Sequence, residues 1–542
     1  MVTVRDATYQ LLRELDIKYI FGNPGSTEET FLKNFPADFC YILCLQEASV
    51  VAMADGFIQA WFGTHITDRV NAMVNVHTSG GMGNAMGAII TAYQNKTPLI
   101  ITAGQQTREM LLIEPFLTNV NAVELPGRWV KWSYEPTKPQ DIPAVFMRAV
   151  SSAIQPPMGP VFLSFPLDDW EKEATDLLPV RTVSTRVSPD PDRMKQFANM
   201  ILGASNPLLI YGDALGKSFN WYKGIKLAEV LQAPVYTAPW SSKVPFPEDH
   251  PLNLGILPST MSTLAERLEG YDVVLVLGAP VFRYYPYQVG SYLPEGTSLL
   301  QVSNDPSELA RAPVGDGLLS DIGLFVDQLL EILEKEGLTW NEMERGVVQP
   351  PAKVSHDRRL TPSQVFASLN YILPKNLIIV EETPSNAADI HLYLPTTEPD
   401  SFYSSASGIL GWGLPAAIGV ALAQHEMGSG RPVLAIIGDG SFQYSIQSIW
   451  TACQQKLAML ILVLRNEEYA ILKAFADFED TPGVPGLDLP GIDIVSLAKG
   501  YGCHSYKVND LQTLQQHAAN AWLLDKPTVL EVIITKEIPP LL

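Results

Sequence analysis

The chain has 542 residues, 46% hydrophobic and 18% charged, a composition that suits a soluble globular protein of about three domains at roughly 150 to 200 residues each. Its formal net charge of −21 at pH 7 argues against nucleic acid or an anionic membrane as main partner, and means that an anionic ligand needs a cation beside it. Cys40, Cys44, Cys453 and Cys503 form no CxxC pair and read as small buried hydrophobes in a reducing cytoplasm; no apolar leader precedes the first helical pattern, and no apolar run approaches the ~18 residues of a membrane span.

In chain order, the first segment alternates helices and short strands. A helix over 4–15 leads to a strand over 19–21, the loop Gly22-Asn23-Pro24-Gly25-Ser26, a further helix and a strand over 41–45. This is α/β structure wound round a parallel sheet. Gln46-Glu47-Ala48 opens a helix through 60, so Glu47 stands at a strand end and a helix start. A first-turn acid complementing the helix dipole and a functional carboxylate both suit that position. A strand over 70–76 is followed by the loop His77-Thr78-Ser79-Gly80-Gly81-Met82-Gly83-Asn84. Gly81, Gly83 and Gly87 miss the dinucleotide spacing by one residue, and no acid stands about 20 residues on, which favours close helix packing over NAD binding. Strands over 98–103 and 159–166 complete the segment, and the charged, proline-containing stretch 175–192 reads as a linker.

The middle segment opens on a strand over 207–211 and on Gly212-Asp213-Ala214-Leu215-Gly216-Lys217-Ser218, one residue short of a P-loop between its glycines. Strands over 272–277 and 299–304 and a helix over 322–335 precede a second linker, 350–359. The third segment starts with a helix over 361–373 and a strand over 377–380 that ends in Glu381-Glu382-Thr383-Pro384-Ser385. It then holds a strand over 433–437, Gly438-Asp439-Gly440-Ser441, a helix through 450, a strand over 457–464 and Arg465-Asn466-Glu467-Glu468. Ligands of parallel sheets sit beyond the carboxyl ends of the strands. Asp439, Asn466 and a carbonyl near Glu468 are oxygen donors of the kind a hard cation takes, and free N–H groups at Gly440 and Ser441 suit a phosphate. For the tripeptide alone, an ordinary Asp-Gly turn is the plainer alternative. No internal repeat or low-complexity tract is visible, so three α/β units in series are expected, over 1–185, 186–350 and 351–542.

Taken in order, Gly22-Asn23-Pro24-Gly25-Ser26, Leu45-Gln46-Glu47-Ala48, Asn84-Ala85-Met86-Gly87-Ala88, Gly104-Gln105-Gln106-Thr107-Arg108, Gly278-Ala279-Pro280-Val281-Phe282-Arg283 and Gly438-Asp439-Gly440-Ser441 resemble the benzoylformate decarboxylase family of thiamin-diphosphate enzymes, essentially end to end. The resemblance implies three doubly wound parallel-sheet domains of pyruvate-decarboxylase-like fold: pyrimidine-binding, middle and diphosphate-binding. It places thiamin diphosphate and Mg between the first domain of one subunit and the third of another, which makes a homodimer the minimum and a homotetramer the family form. It implies that Glu47 bonds the aminopyrimidine ring nitrogen, that the Gly408 carbonyl and Leu410 hold the cofactor, and that Asp439, Asn466 and the Glu468 carbonyl ligate Mg. Thr383, Ser385, Gly440, Ser441 and Tyr469 complete the implied cofactor site, with Pro384 in place of a hydroxyl residue.

By the same resemblance Ser26 meets the substrate carboxylate and His77 shuttles protons. Tyr285 takes the place of a second histidine, and a phenol is a much weaker acid near neutrality than an imidazolium. Ser404, Ile471, Leu472 and Phe475 join Ser26, His77 and Tyr285 around the substrate, with Ile471 where the family has a small residue and Ser404 where it has a phenylalanine. The implied reaction is non-oxidative decarboxylation of a 2-oxo acid to an aldehyde. A carboligase or acyloin lyase using the same cofactor is the alternative. A flavin-containing acetohydroxyacid-synthase-like enzyme and an NAD-linked or nucleotide-binding protein agree less well with the motifs.

Overall fold

The computed structural model describes residues 2–541 apart from 65–69, 176–178, 182, 347–348 and 356–358. Parts of both expected linkers lie outside these described residues.

Short runs, the central ones apolar and buried along most of their length, build three six-stranded parallel sheets. The first holds β1 (Tyr19–Asn23), β2 (Cys40–Leu43), β3 (Ala72–Val76), β4 (Ile100–Gln105), β5 (Ser133–Tyr134) and β6 (Val161–Pro166), in the order β2-β1-β3-β4-β6-β5. The second holds β7 (Pro207–Tyr211), β8 (Val235–Thr237), β9 (Asn253–Ile256), β10 (Val273–Leu277), β11 (Ser298–Ser303) and β12 (Asp316–Leu319), in the order β12-β11-β10-β7-β8-β9. The third holds β13 (Ile378–Glu382), β14 (Phe402–Tyr403), β15 (Val433–Gly438), β16 (Leu460–Arg465), β17 (His504–Val508) and β18 (Thr528–Ile533), in the order β14-β13-β15-β16-β18-β17. The first and third sheets thus share one strand order, a repeat of topology that no repeat of sequence announces.

Register sets which loops meet. Gly22 of β1 lies beside Leu43 of β2 and Asn75 of β3, so the segments carrying Ser26, Glu47 and His77 leave one sheet edge together. Ile437 of β15 lies beside Glu382 of β13 and Val463 of β16, which does the same for the segments carrying Thr383, Asp439 and Asn466.

Two stretches differ from the sequence expectation. The glycine-rich run after β3 is not a loop: the helix Thr78–Gln94 starts directly behind His77, with Gly80, Gly81 and Gly83 in its first turns. Gly81 is there for close packing, since a Cβ would sit 3.1 Å from Val76 Cβ and 3.3 Å from Glu47 Cγ. The helix expected behind Gly438 is two pieces, Asp439–Tyr444 and Ser448–Gln454, broken where Ser445 leaves helical geometry at φ −145°, ψ 26°. Cys44, Cys453 and Cys503 are buried as expected, whereas Cys40 is half-buried. Among the described residues no helix is long and apolar enough to cross a membrane.

The first and third domains meet through the helices Glu47–Thr64 and Gly413–Glu426. Gly56 faces the Ala416 backbone and Gly419 faces the Met53 carbonyl, both too closely for any side chain. Beside this contact the fully buried Asp55 accepts from Gln59 Nε2 (2.9 Å), Asn95 Nδ2 (2.8 Å), Thr97 Oγ1 (2.5 Å) and, across the domain boundary, Trp412 Nε1 (2.7 Å). Gly419→Ala is expected to force these helices apart at a cost of roughly 1–3 kcal/mol from overpacking, net of any gain in helix propensity. Chemical denaturation measures this, and an unchanged midpoint would show that the helices yield freely.

Candidate active site

At the edge of the first sheet, Glu47 begins its helix with the carboxylate pinned: Asn23 Nδ2 donates to Oε1 at 2.9 Å and Asn84 Nδ2 to Oε2 at 3.0 Å. It is 8% exposed. A buried carboxylate held by two carboxamides keeps one orientation and still has lone pairs to offer. Beside it, His77 Nδ1 lies 2.8 Å from Glu28 Oε2 and 3.1 Å from Thr27 Oγ1. The tautomer assigned from this network has Nδ1–H donating to the carboxylate, which leaves Nε2 to exchange a proton. Glu28 itself is buried and accepts from the Gly25 and Gly104 amides (2.9 and 2.8 Å) and from Thr27 Oγ1 (2.8 Å). Gly25 has no side chain because the imidazole occupies that space. Ser26 is exposed at the tip of the same turn.

At the edge of the third sheet, Asp439 is buried, and burial pushes its carboxyl up to about 6 despite bonds from the Glu467 amide (2.8 Å) and the Gly440 amide (2.9 Å). The Gly440 N–H is therefore not free, as the sequence pattern had it, but turned onto its neighbour's side chain. Asn466 is buried, with Oδ1 accepting from the Glu468 amide at 3.2 Å. Lys473 Nζ bonds Glu468 Oε2 at 2.5 Å, while Glu468 Oε1 is buried without a partner. The Thr383 hydroxyl accepts from Asn386 Nδ2 at 2.9 Å, and the Ser385 hydroxyl accepts from the Ile471 amide at 3.1 Å. Tyr469 packs where a Cβ on Gly440 would lie, 2.5 Å from its ring. Among the described residues no three His, Cys, Asp or Glu side chains cluster as a metal site. One buried, unneutralised carboxylate beside a carboxamide and backbone carbonyls is nonetheless a donor set that fits Mg, which completes its shell with phosphate oxygens and water.

Segment 404–413 links the domains. The Ser404 hydroxyl donates to Glu381 Oε1 at 2.6 Å and its amide to the Ser242 carbonyl at 2.8 Å, so Ser404 is engaged with the strand end rather than free. Arg283 Nη1 donates to the Ala406 carbonyl (2.9 Å), the Ala406 amide to Asn95 Oδ1 (2.9 Å), and Ser407 pairs with Thr91 (2.8 Å). Gly408 and Gly411 take φ +71° and +100°, backbone that favours glycine, with half-buried Leu410 between them. Glu382 is buried against this turn, and burial raises its carboxyl to about 7.

Tyr285, 55% exposed, packs with its ring tilted by 38° at 5.1 Å from that of Phe475 of the helix Ala470–Phe478, and its ring lies 6.4 Å from that of Trp240. Leu472 of that helix is 45% exposed, and Ile471 and Phe475 are half-buried. These residues form one apolar wall. Among the described residues no hydrogen bond, ion pair or ring contact joins the Glu47 group to the Asp439 group within the chain. Sequence reading missed Glu28, Asp55 and the part played by Glu382. Glu28 alone left a signal, an acid two residues after Ser26 in the same strand-end turn.

Family models describing the N-terminal, central and C-terminal domains of thiamine pyrophosphate enzymes match residues 2–125, 194–329 and 385–532. A benzoylformate decarboxylase of Pseudomonas aeruginosa is 40% identical over 536 residues, covering 98% of this chain and 99% of the relative. The crystal structure of benzoylformate decarboxylase from Polynucleobacter necessarius superposes with a TM-score of 0.93 at 51% identity, covering 100% of both chains. That of a thiamine diphosphate-dependent 4-hydroxybenzoylformate decarboxylase from Rhodococcus jostii RHA1 superposes with a TM-score of 0.92 at 37% identity, covering 98% of this chain and 99% of the other.

Glu28→Ala orphans the buried Gly104 amide and the half-buried Gly25 amide, and is expected to cost on the order of 1–3 kcal/mol for the buried group left unsatisfied. Urea unfolding at neutral pH reads this directly; a wild-type midpoint would mean that water replaces the carboxylate.

Proposed function

This chain belongs to the thiamine pyrophosphate enzymes, in their benzoylformate decarboxylase branch, and is a thiamin-diphosphate-dependent decarboxylase of 2-oxo acids; on that premise we propose that it acts on 2-oxo acids with an apolar side chain, with Mg beside the cofactor, in a site shared by two subunits. The observation that carries this is the pinned, buried Glu47 at the same sheet edge as the Glu28–His77 pair. Thiamin diphosphate, when bound, supplies the nucleophilic carbon and the electron sink. Glu47 would hydrogen-bond the aminopyrimidine ring nitrogen and share its carboxyl proton with it reversibly, its rotamer held by Asn23 and Asn84. His77 would hold or give a proton at Nε2, and Ser26 would donate to the substrate carboxylate. Asp439, Asn466 and the Glu468 carbonyl would hold Mg; Thr383, Ser385, Gly440, Ser441 and Tyr469 would hold the diphosphate, and Gly408 and Leu410 would seat the rings.

The apolar wall of Ile471, Leu472 and Phe475, with Tyr285, supports an apolar acyl group, as do the aromatic 2-oxo acids in the relatives' names. A composite site is supported by Leu112, Ile113 and Phe116 beyond β4, which are 94%, 72% and 87% exposed. Such a run on a monomer calls for a cover, and a second copy supplies it in a homodimer or tetramer. The same reading keeps the enzyme in the cytoplasm and takes domain boundaries at 185/186 and 350/351.

A panel of aliphatic and aryl 2-oxo acids with added thiamin diphosphate and Mg tests the proposal. Aldehyde is expected from the apolar members, and Glu47→Gln is expected to bind cofactor yet lose about 10²- to 10⁴-fold in turnover. Preference for short polar acids, or full turnover without the Glu47 carboxyl, sinks it.

Carboligation is a second reading, favoured by one observation: the ring packed on Phe475 is the phenol of Tyr285, not an imidazole. A phenol delivers a proton to carbon poorly near neutrality, which leaves more time for a second aldehyde to react. Tyr285→His is expected to raise the ratio of aldehyde to acyloin at fixed added aldehyde, measured by product chromatography. A ratio that stays level or falls assigns the proton to His77 or water.

A further inference from the structure

We propose that Glu382 is a positioning residue for decarboxylation: with Asp55 it clamps Gly411-Trp412-Gly413 from two domains and so fixes the Gly408–Leu410 turn that seats the cofactor. The inference rests on the reading of Gly408 and Leu410 given above. Glu382 Oε1 accepts from the Gly411 amide at 2.6 Å and Oε2 from the Gly413 amide at 2.5 Å. Between those residues, the Trp412 indole donates to Asp55 at 2.7 Å. Three consecutive residues are thus tied to two buried carboxylates, one from the end of β13 and one from the first domain.

A carboxylate that only capped the helix Gly413–Glu426 would bond amides of its first turn. Here half of the interaction goes to Gly411, outside the helix and at φ +100°, so the turn itself is held. The approach is close enough that a Cβ on Gly413 would sit 2.6 Å from Glu382 Cβ. Bonds to a carboxylate are charge-assisted, and a carboxamide of the same shape can accept only one of them. Among the described residues Leu410 has no tether of this kind. Its place is inherited from Gly411 on one side and, on the other, from Ser407, whose hydroxyl accepts from the Ile409 amide at 3.0 Å.

The test uses Glu382→Gln in the full-length chain with two readouts. Without cofactor, amide hydrogen exchange is expected to quicken about tenfold or more at Gly411 and Gly413 while the β15 and β16 amides keep their protection. With saturating thiamin diphosphate and Mg, turnover per bound cofactor should fall about tenfold or more, while the half-saturating cofactor concentration moves less than about threefold, because the diphosphate end is untouched. Unchanged exchange at the two glycines, or unchanged turnover per bound cofactor, overturns the proposal. Should Glu382→Gln not fold, Asp55→Asn, which loosens the same turn from the other domain, is read by the same two measurements. Leu410→Ala separates the premise from the inference. If it leaves turnover per bound cofactor intact, the seating role of Leu410 fails; if it lowers turnover and Glu382→Gln does not, the clamp fails and the seat stands.

Discussion

A carboxylate buried between two domains is tolerated only if every donor it needs is built around it, and Asp55 is the point where this chain meets that demand. Its four donors come from its own helix, from the end of the Thr78–Gln94 helix and from Trp412 in the third domain. Satisfying one group therefore sets the rotation of the Glu47–Thr64 helix, its distance from the Gly413–Glu426 helix and the path of segment 404–413. Glu47 stands at the start of the first of these helices, and the Gly408–Leu410 turn leads into the second. The residues proposed to touch the reactants are thus placed by a contact deep behind them.

The same economy recurs at the edge of the first sheet. Glu28 has no solvent to rely on, so backbone amides of Gly25 and Gly104 and the imidazole of His77 must converge on it. The Gly104 amide can approach because that residue lacks a Cβ, which would lie 2.4 Å from Glu28 Oε1, and at Gly25 the missing side chain leaves room for the imidazole. Glycines that a sequence shows only as turn formers are, in the folded chain, openings through which a charged group is approached. His77 then has one ring nitrogen occupied and the other directed elsewhere, a division of labour that general acid–base chemistry needs.

Much of this was legible beforehand. The buried strands stand out as apolar runs stopped by glycine, and the parallel arrangement follows from their alternation with helices, so the sheet edges bearing Glu47, His77, Asp439 and Asn466 could be read in order. What could not be read is what depends on contacts between residues far apart in the chain. The start of the Thr78–Gln94 helix was hidden because three glycines in seven residues lower helix propensity, and packing against Val76 and Glu47 overrides it. The break at Ser445 has no proline or glycine to mark it. Asp55 reads in sequence as one more polar residue on a helix, and Glu382 as the end of a strand; only folding shows that both turn inward. The Gly440 amide illustrates the opposite error, a donor correctly found but spent on Asp439.

The common strand order of the first and third sheets bears on how such a site arises. In both, the helix that follows the second strand runs to the contact between domains: Glu47–Thr64 in one and Gly413–Glu426 in the other. The contact between the domains is therefore pseudo-symmetric: topologically equivalent helices meet, and each contributes one glycine, Gly56 and Gly419, whose missing side chain lets the other helix's backbone come close.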